Sequence, residues 1–113
     1  MRAQLGAESM QLQSLKLVTI VAEEVLKEQL VHKILELGAT GCSYHPTQGT
    51  GSRSARHDDV FGENFQMKIV CPDDVAQKIV NYISHNYFEK YAIVCWVSDV
   101  EVMRGAHYVK KSG

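Results

Sequence analysis

The stretch with the clearest chemical content is Gln48-Gly49-Thr50-Gly51-Ser52-Arg53-Ser54-Ala55-Arg56. Glycines 49 and 51 carry no Cβ, so their backbone N–H groups can approach an anion closely, and the Ser52 hydroxyl adds a donor. Arg53 and Arg56 supply planar guanidinium forks that match phosphate oxygens. The chemistry of such a segment is the capture of a phosphate-bearing ligand. The spacing is not that of a P-loop, GxxxxGK[ST], and GxGS also occurs in solvated loops that bind nothing, so the motif alone leaves both readings open. His57, Asp58 and Asp59 come next without the convergent spacing of a metal site and read as a solvated charged segment.

Other reactive side chains are dispersed. His32, His45, His85 and His107 share no ligand spacing, so a metal site is not expected. The three cysteines, Cys42, Cys71 and Cys95, are an odd number without a CxxC pair, which excludes a disulfide framework and a zinc ribbon. Each sits among apolar neighbours and reads as a small buried hydrophobe in a reducing cytoplasm. A formal net charge of -1 supplies no overall field for nucleic acid or an anionic membrane, so any anion site must be local. No apolar run approaches the roughly 20 residues of a membrane helix, and polar residues interrupt the N-terminus where a signal peptide would need an apolar core. A soluble protein is expected.

The loop needs elements to hold it. The 113 residues suffice for one domain with one core. Residues 1–14 show no lasting period and read as a flexible leader, followed by a first strand over 15–21. Ala22, Leu26, Leu30, Ile34 and Leu37 then recur at helical spacing, with Glu23 and Glu24 in the first turn and Gly38 at the end. Residues 41–48 read as a second strand weakened by Pro46, and residues 49–63 as a long functional loop. Phe65, Met67, Ile69 and Cys71 alternate as a third strand. Pro72, Asp73 and Asp74 open a second helix of about 15 residues, whose inward stripe is Val75, Ala76, Ile79, Val80, Ile83 and Tyr87. Residues 91–97, apolar throughout, predict a fourth strand covered on both faces.

The order β-α-β, loop, β-α-β predicts an α+β, ferredoxin-like split βαβ sandwich: a four-stranded antiparallel sheet with two helices on one face. Such a monomer leaves its other sheet face bare, yet the first and fourth strands are apolar on both sides. A homo-oligomer is expected to cover them, with Trp96 in the core or at the subunit interface.

Residues 38–43, Gly38-Ala39-Thr40-Gly41-Cys42-Ser43, followed by Gln48-Gly49-Thr50-Gly51, resemble the helix-to-strand passage and T-loop entrance of the PII signalling family. The segments 65–74 and 100–105 are similar to its third strand with the following helix start and to its C-terminal segment. The resemblance covers roughly residues 15–105. Gly51-Ser52-Arg53-Ser54-Ala55-Arg56 matches the GSRxxR signature of the inorganic-carbon branch, which includes SbtB and the carboxysome-associated PII-like proteins. Asn64 and the pairs Tyr87-Phe88 and Tyr91-Ala92 are similar to that branch as well.

The resemblance implies a homotrimeric, cytoplasmic signalling protein rather than an enzyme, with no catalytic residues, no metal and no nucleic-acid partner. It implies an adenine nucleotide (AMP, ADP, ATP or cyclic AMP) in clefts between subunits, with bicarbonate beside it in carboxysomal members. Ser43 would face the adenine, Gly49, Gly51, Ser52, Arg53 and Arg56 would hold phosphate, and Tyr91, Ala92 and Arg104 would complete the cleft. The T-loop would signal to a bicarbonate transporter at the membrane or to a carboxysome component. Phe88-Glu89-Lys90 stands where nitrogen-sensing members carry a glycine-rich phosphate loop, which favours a mono- or diphosphate. No tyrosine lies between Gly49 and Asn64, so uridylylation there is not expected, and residues 106–113 form a tail without the cysteine pair of some carbon-branch members.

Two alternatives share the fold. An acylphosphatase-like hydrolase needs a phosphate-cradling loop after the first strand, where Ala22-Glu23-Glu24 comes directly. An RNA-binding module needs exposed aromatics and basic residues on the central strands.

Overall fold

The computed structural model describes residues 11–48 and 63–110. Its elements run β1 (Leu12–Glu23), a 3-10 turn (Glu24–Leu26), α1 (Lys27–Glu36), β2 (Ser43–Thr47), β3 (Asn64–Cys71), α2 (Asp73–Asn86), β4 (Val94–Met103) and a second 3-10 turn (Gly105–Tyr108). The four strands form one sheet in the order β2-β3-β1-β4, and each neighbouring pair is antiparallel. This is the predicted ferredoxin-like split βαβ sandwich.

Strand side chains alternate between the two faces, and the register sorts them. Val18, Ile20 and Ala22 of β1 lie beside Ile69, Met67 and Phe65 of β3, all fully buried. Leu30 and Ile34 of α1 and Val75, Ala76, Ile79 and Ile83 of α2 cover that face, at the i, i+4 spacing the sequence shows. Both helices therefore serve one core on one side of the sheet. Leu17, Thr19 and Val21 of β1, Gln66, Lys68 and Val70 of β3, and Val94, Trp96 and Ser98 of β4 fall on the opposite face.

Several boundaries differ from the sequence expectation, those of β1 and β4 most. β1 begins at Leu12, inside the expected leader, because Leu12, Gln13 and Ser14 pair with Met103, Val102 and Glu101. It also runs on to Glu23, because Ala22 and Glu23 continue the ladder with Phe65 and Asn64, so Ala22 is a strand residue rather than the first residue of a helical stripe. β4 spans Val94–Met103 in place of 91–97.

The expectation that the fourth strand is covered on both faces does not hold within one chain. Val94, Trp96 and Val97 are 50%, 46% and 44% exposed. The reason is topological: β4 is an edge strand, flanked only by β1, and its residues lie at the margin of the helix layer.

α1 ends where the chain needs a left-handed residue. Gly38 has φ 122°, and a Cβ there would lie 3.0 Å from Cγ2 of Val75 at the start of α2. Its N–H and that of Ala39 donate to the carbonyls of Leu35 and Ile34, closing the last helical turn. Gly38→Ala is therefore expected to lower the unfolding free energy by about 1–2 kcal/mol, from the positive φ and the contact with Val75. Urea titration measures it, and an unchanged midpoint would show that neither constraint is felt.

Candidate functional site

Ser43 opens β2, on the outer edge of the sheet, exposed and opposite Lys68 of β3. Pro46 is tolerated in β2 because an edge strand has one side without ladder partners. The strand ends at Thr47, whose partner Asn64 also pairs with Glu23 of β1. The base of the connecting loop is thus held by two neighbouring strands. A further clamp joins it to the 3-10 turn that leads into α1: the Glu24 N–H donates to the Glu63 carbonyl at 2.6 Å. Lys27 pairs with Glu24 at 2.8 Å and lies over the Tyr44 ring at 4.8 Å, tying β2 to the same corner. Gly49, Gly51, Ser52, Arg53 and Arg56 lie outside the described residues.

The passage from α2 to β4 reaches this end of the sheet as well, since Val94 pairs with Val21. It is built on an aromatic cluster. Tyr87 caps α2 and is buried, its hydroxyl donating to Gln29 Oε1 at 2.9 Å. Its ring packs edge-on to Tyr82 at 5.8 Å and tilted against Tyr91 at 5.4 Å. Burial, with the hydroxyl of Tyr82 close by, pushes the Tyr87 phenol up to about 12, so it stays a neutral donor. Tyr91 N–H donates to the Tyr87 carbonyl at 2.9 Å, which ties the half-buried Tyr91 to the end of α2. Phe88, Glu89 and Lys90 are exposed.

Arg104 stands at the other end. It comes directly after Met103, the partner of Leu12, and the ten residues of β4 separate it from Ala92. At about 3.3 Å per strand residue, that is roughly 30 Å. One chain therefore sets Tyr91, Ala92 and the loop base at the same end of the sheet, leaves Ser43 at mid-sheet, and holds Arg104 at the opposite end.

Beyond Arg104 the expected tail, residues 106–113, begins within a short turn. A 3-10 turn spans Gly105–Tyr108, and Gly105 is buried. Within it, Arg104 Nη2 donates to His107 Nε2 at 3.1 Å. His107 thus contacts a candidate residue in a way that sequence reasoning missed; its only signal is an arginine three residues before a histidine, in a stretch without periodicity.

An open groove of about 710 Å³ lies elsewhere, lined by Lys16, Asp73, Asp99 and Glu101 among others, and holds none of the candidate ligand-binding residues. Lys16 and Asp99 form an ion pair there. Among the described residues no cluster of histidine, cysteine and carboxylate side chains could hold a metal ion, and no helix is long and apolar enough to cross a membrane.

The cysteines are chemically quiet. Burial raises the thiols of Cys42 and Cys95. Cys71 is pushed from 9.0 to about 11 by burial first, then by Asp74 and Asp73. All three are free thiols, and none has the electropositive setting of a reactive thiolate.

A two-layer split βαβ sandwich with a long clamped loop between β2 and β3 and an αβ passage at the same sheet end is the architecture of PII-like proteins. Residues 15–107 match the nitrogen regulatory protein P-II family, and the chain belongs to that family. It is similar to a PII-like signaling protein from Thermus thermophilus, with 41% identity over 88% of this chain and 100% of that one, and a TM-score of 0.77. CPII from Thiomonas intermedia, in a structure bound to ADP and bicarbonate, has the same fold: 20% identity, 88% of this chain, 98% of that one, TM-score 0.75. A CutA from Synechococcus elongatus shares the fold at 16% identity, with 88% and 94% of the two chains covered and a TM-score of 0.65.

Because the folded-state value of Cys71 lies above its ordinary one, the stability tied to its protonated thiol is fully present below about pH 9 and is lost as pH rises toward about 11. The urea midpoint is expected to fall across that window, and to fall less steeply in Cys71→Ala. Parallel slopes in the two proteins would show that Cys71 ionises as freely folded as unfolded.

Proposed function

We propose that this PII-like signalling protein works as a homotrimer that binds an adenine nucleotide, AMP or ADP foremost, in the clefts between its subunits. The observation that carries the reading is the separation of the cleft residues. Tyr91 and Ala92 sit at one end of the sheet and Arg104 at the other, so a cleft containing all three needs a second copy of the chain. The half-exposed Val94 and Trp96 on the open face support the same assembly, since contiguous exposed apolar surface is rare on soluble monomers.

In this reading Ser43 meets the adenine, and Gly49, Gly51, Ser52, Arg53 and Arg56 hold phosphate together with Arg104. The CPII structures bound to ADP, AMP and acetate and to ADP and bicarbonate support both the nucleotide class and bicarbonate beside it. Nucleotide binding orders the loop, which displays or hides a surface for a transporter of bicarbonate or a carboxysome component in the cytoplasm. The clamp at Glu24 and Glu63 ties the loop base to the 3-10 turn before α1, a route by which occupancy reaches the rest of the domain.

The alternatives fit less well. β1 passes straight into the 3-10 turn at Glu24, leaving no phosphate cradle of the acylphosphatase kind. The central strands β1 and β3 carry one aromatic residue, Phe65, and it is buried in the core, so the stacking surface of an RNA-binding sheet is missing from their open face.

Calorimetry with ADP and AMP, with and without bicarbonate, tests the ligand. Arg53→Ala and Arg56→Ala are each expected to weaken binding about 10- to 150-fold, the cost of one charge-assisted contact, and unchanged affinity in both would remove the phosphate assignment. Sedimentation tests the assembly: a trimer is expected for the unaltered chain, with Trp96→Glu shifting it toward monomers. A chain that sediments as a monomer at all concentrations would overturn the cleft between copies.

A further inference from the structure

We propose that His107 is a positioning residue for Arg104, holding its guanidinium in a binding orientation without neutralising it; this deepens the nucleotide reading above and rests on it. A guanidinium can only donate, so His107 Nε2, at 3.1 Å from Arg104 Nη2, must present a lone pair. The imidazole is then neutral with its proton on Nδ1. A neutral acceptor orients the guanidinium but cancels none of its charge, whereas a carboxylate would do both. Among the described residues Arg104 forms no ion pair with a carboxylate. Four of its five N–H groups and its full charge stay available to an anion.

The backbone around the pair is built to keep this geometry. Arg104 adopts a left-handed conformation, φ 61° and ψ 37°, the only non-glycine residue with positive φ among those described. That conformation is costly for a residue with a Cβ and calls for compensation. The His107 N–H supplies part of it by donating to the Arg104 carbonyl at 3.1 Å. Gly105 supplies the rest by lying flat on β1: a Cβ there would stand 2.5 Å from Gln13 Oε1 and 2.9 Å from Gln13 Cβ. His107 thus grips Arg104 twice, through its main chain and its ring, on a turn anchored to the sheet. An exposed arginine at a strand end would otherwise sample many rotamers, and restricting them lowers the entropy lost on binding.

The test is calorimetry with ADP on the full chain, comparing the unaltered protein with Arg104→Ala, His107→Ala, His107→Gln and the double alanine variant, each first checked for unchanged assembly by sedimentation. His107→Ala is expected to weaken ADP binding about 3- to 10-fold, the scale of one hydrogen bond. His107→Gln, whose amide oxygen restores the acceptor, is expected to stay within about twofold of the unaltered protein. The double variant should bind no more weakly than Arg104→Ala alone, because the ring acts through the guanidinium. If His107→Ala dissociates, His107→Phe replaces it, since a phenyl ring keeps the bulk and lacks the acceptor, with the same loss expected. ADP binding that is indifferent to His107→Ala, or equal losses with and without Arg104, would overturn the positioning role while leaving the nucleotide reading intact. No ADP uptake by the unaltered chain would overturn both.

Discussion

The two-sided pairing of β1 is the constraint on which everything else hangs. It is the only strand that bonds to both β3 and β4, and those two ladders make up most of the sheet. Because its side chains alternate, its register with β3 commits Val18, Ile20 and Ala22 to the helix layer and Leu17, Thr19 and Val21 to the other side. A slip of one residue would exchange the two sets and put Thr19 into an apolar core. Thr19 is in fact buried on the open face, between its register partners Lys68 and Trp96.

The length of β1 and β4 also dictates how the candidate residues are distributed. A strand ten or more residues long carries its two ends roughly 30 Å apart, further than side chains can reach across. The loop base and the Tyr87–Tyr91 cluster therefore lie at one end of the sheet, and the Arg104 turn at the other. Each is stabilised locally, the first by the Glu24–Glu63 clamp and the tyrosine stack, the second by Gly105 on Gln13. Two preorganised corners at opposite ends of one sheet make chemical sense when copies of the chain meet end to corner.

Much of this is legible in the residues. The alternation of Phe65, Met67, Ile69 and Cys71, the helical spacing of Leu26, Leu30 and Ile34, and Gly38 at the helix end each come from local sterics and from partition of apolar side chains. They dictate the element order and hence the fold. The resemblance to the P-II family rests on Gly38, Gly41, Gly49 and Gly51 together with the GSRxxR segment, and the family match over residues 15–107 agrees with it.

What local pattern could not supply was pairing. Leu12 to Ser14 look like a leader because Gln13 and Ser14 are polar, and only the ladder with Glu101 to Met103 makes them strand. Residues 91–97 look like a central strand because they are apolar, yet topology sets β4 at the edge, where hydrogen bonding to one neighbour replaces burial by two. Arg104 and His107 give no periodic signal at all; their contact exists because the chain turns left-handed at Arg104 and Gly105 can lie against Gln13, far earlier in the chain. Periodicity reports which face a side chain prefers. Partners distant along the chain, and so invisible to any window of sequence, decide which neighbours that face will meet.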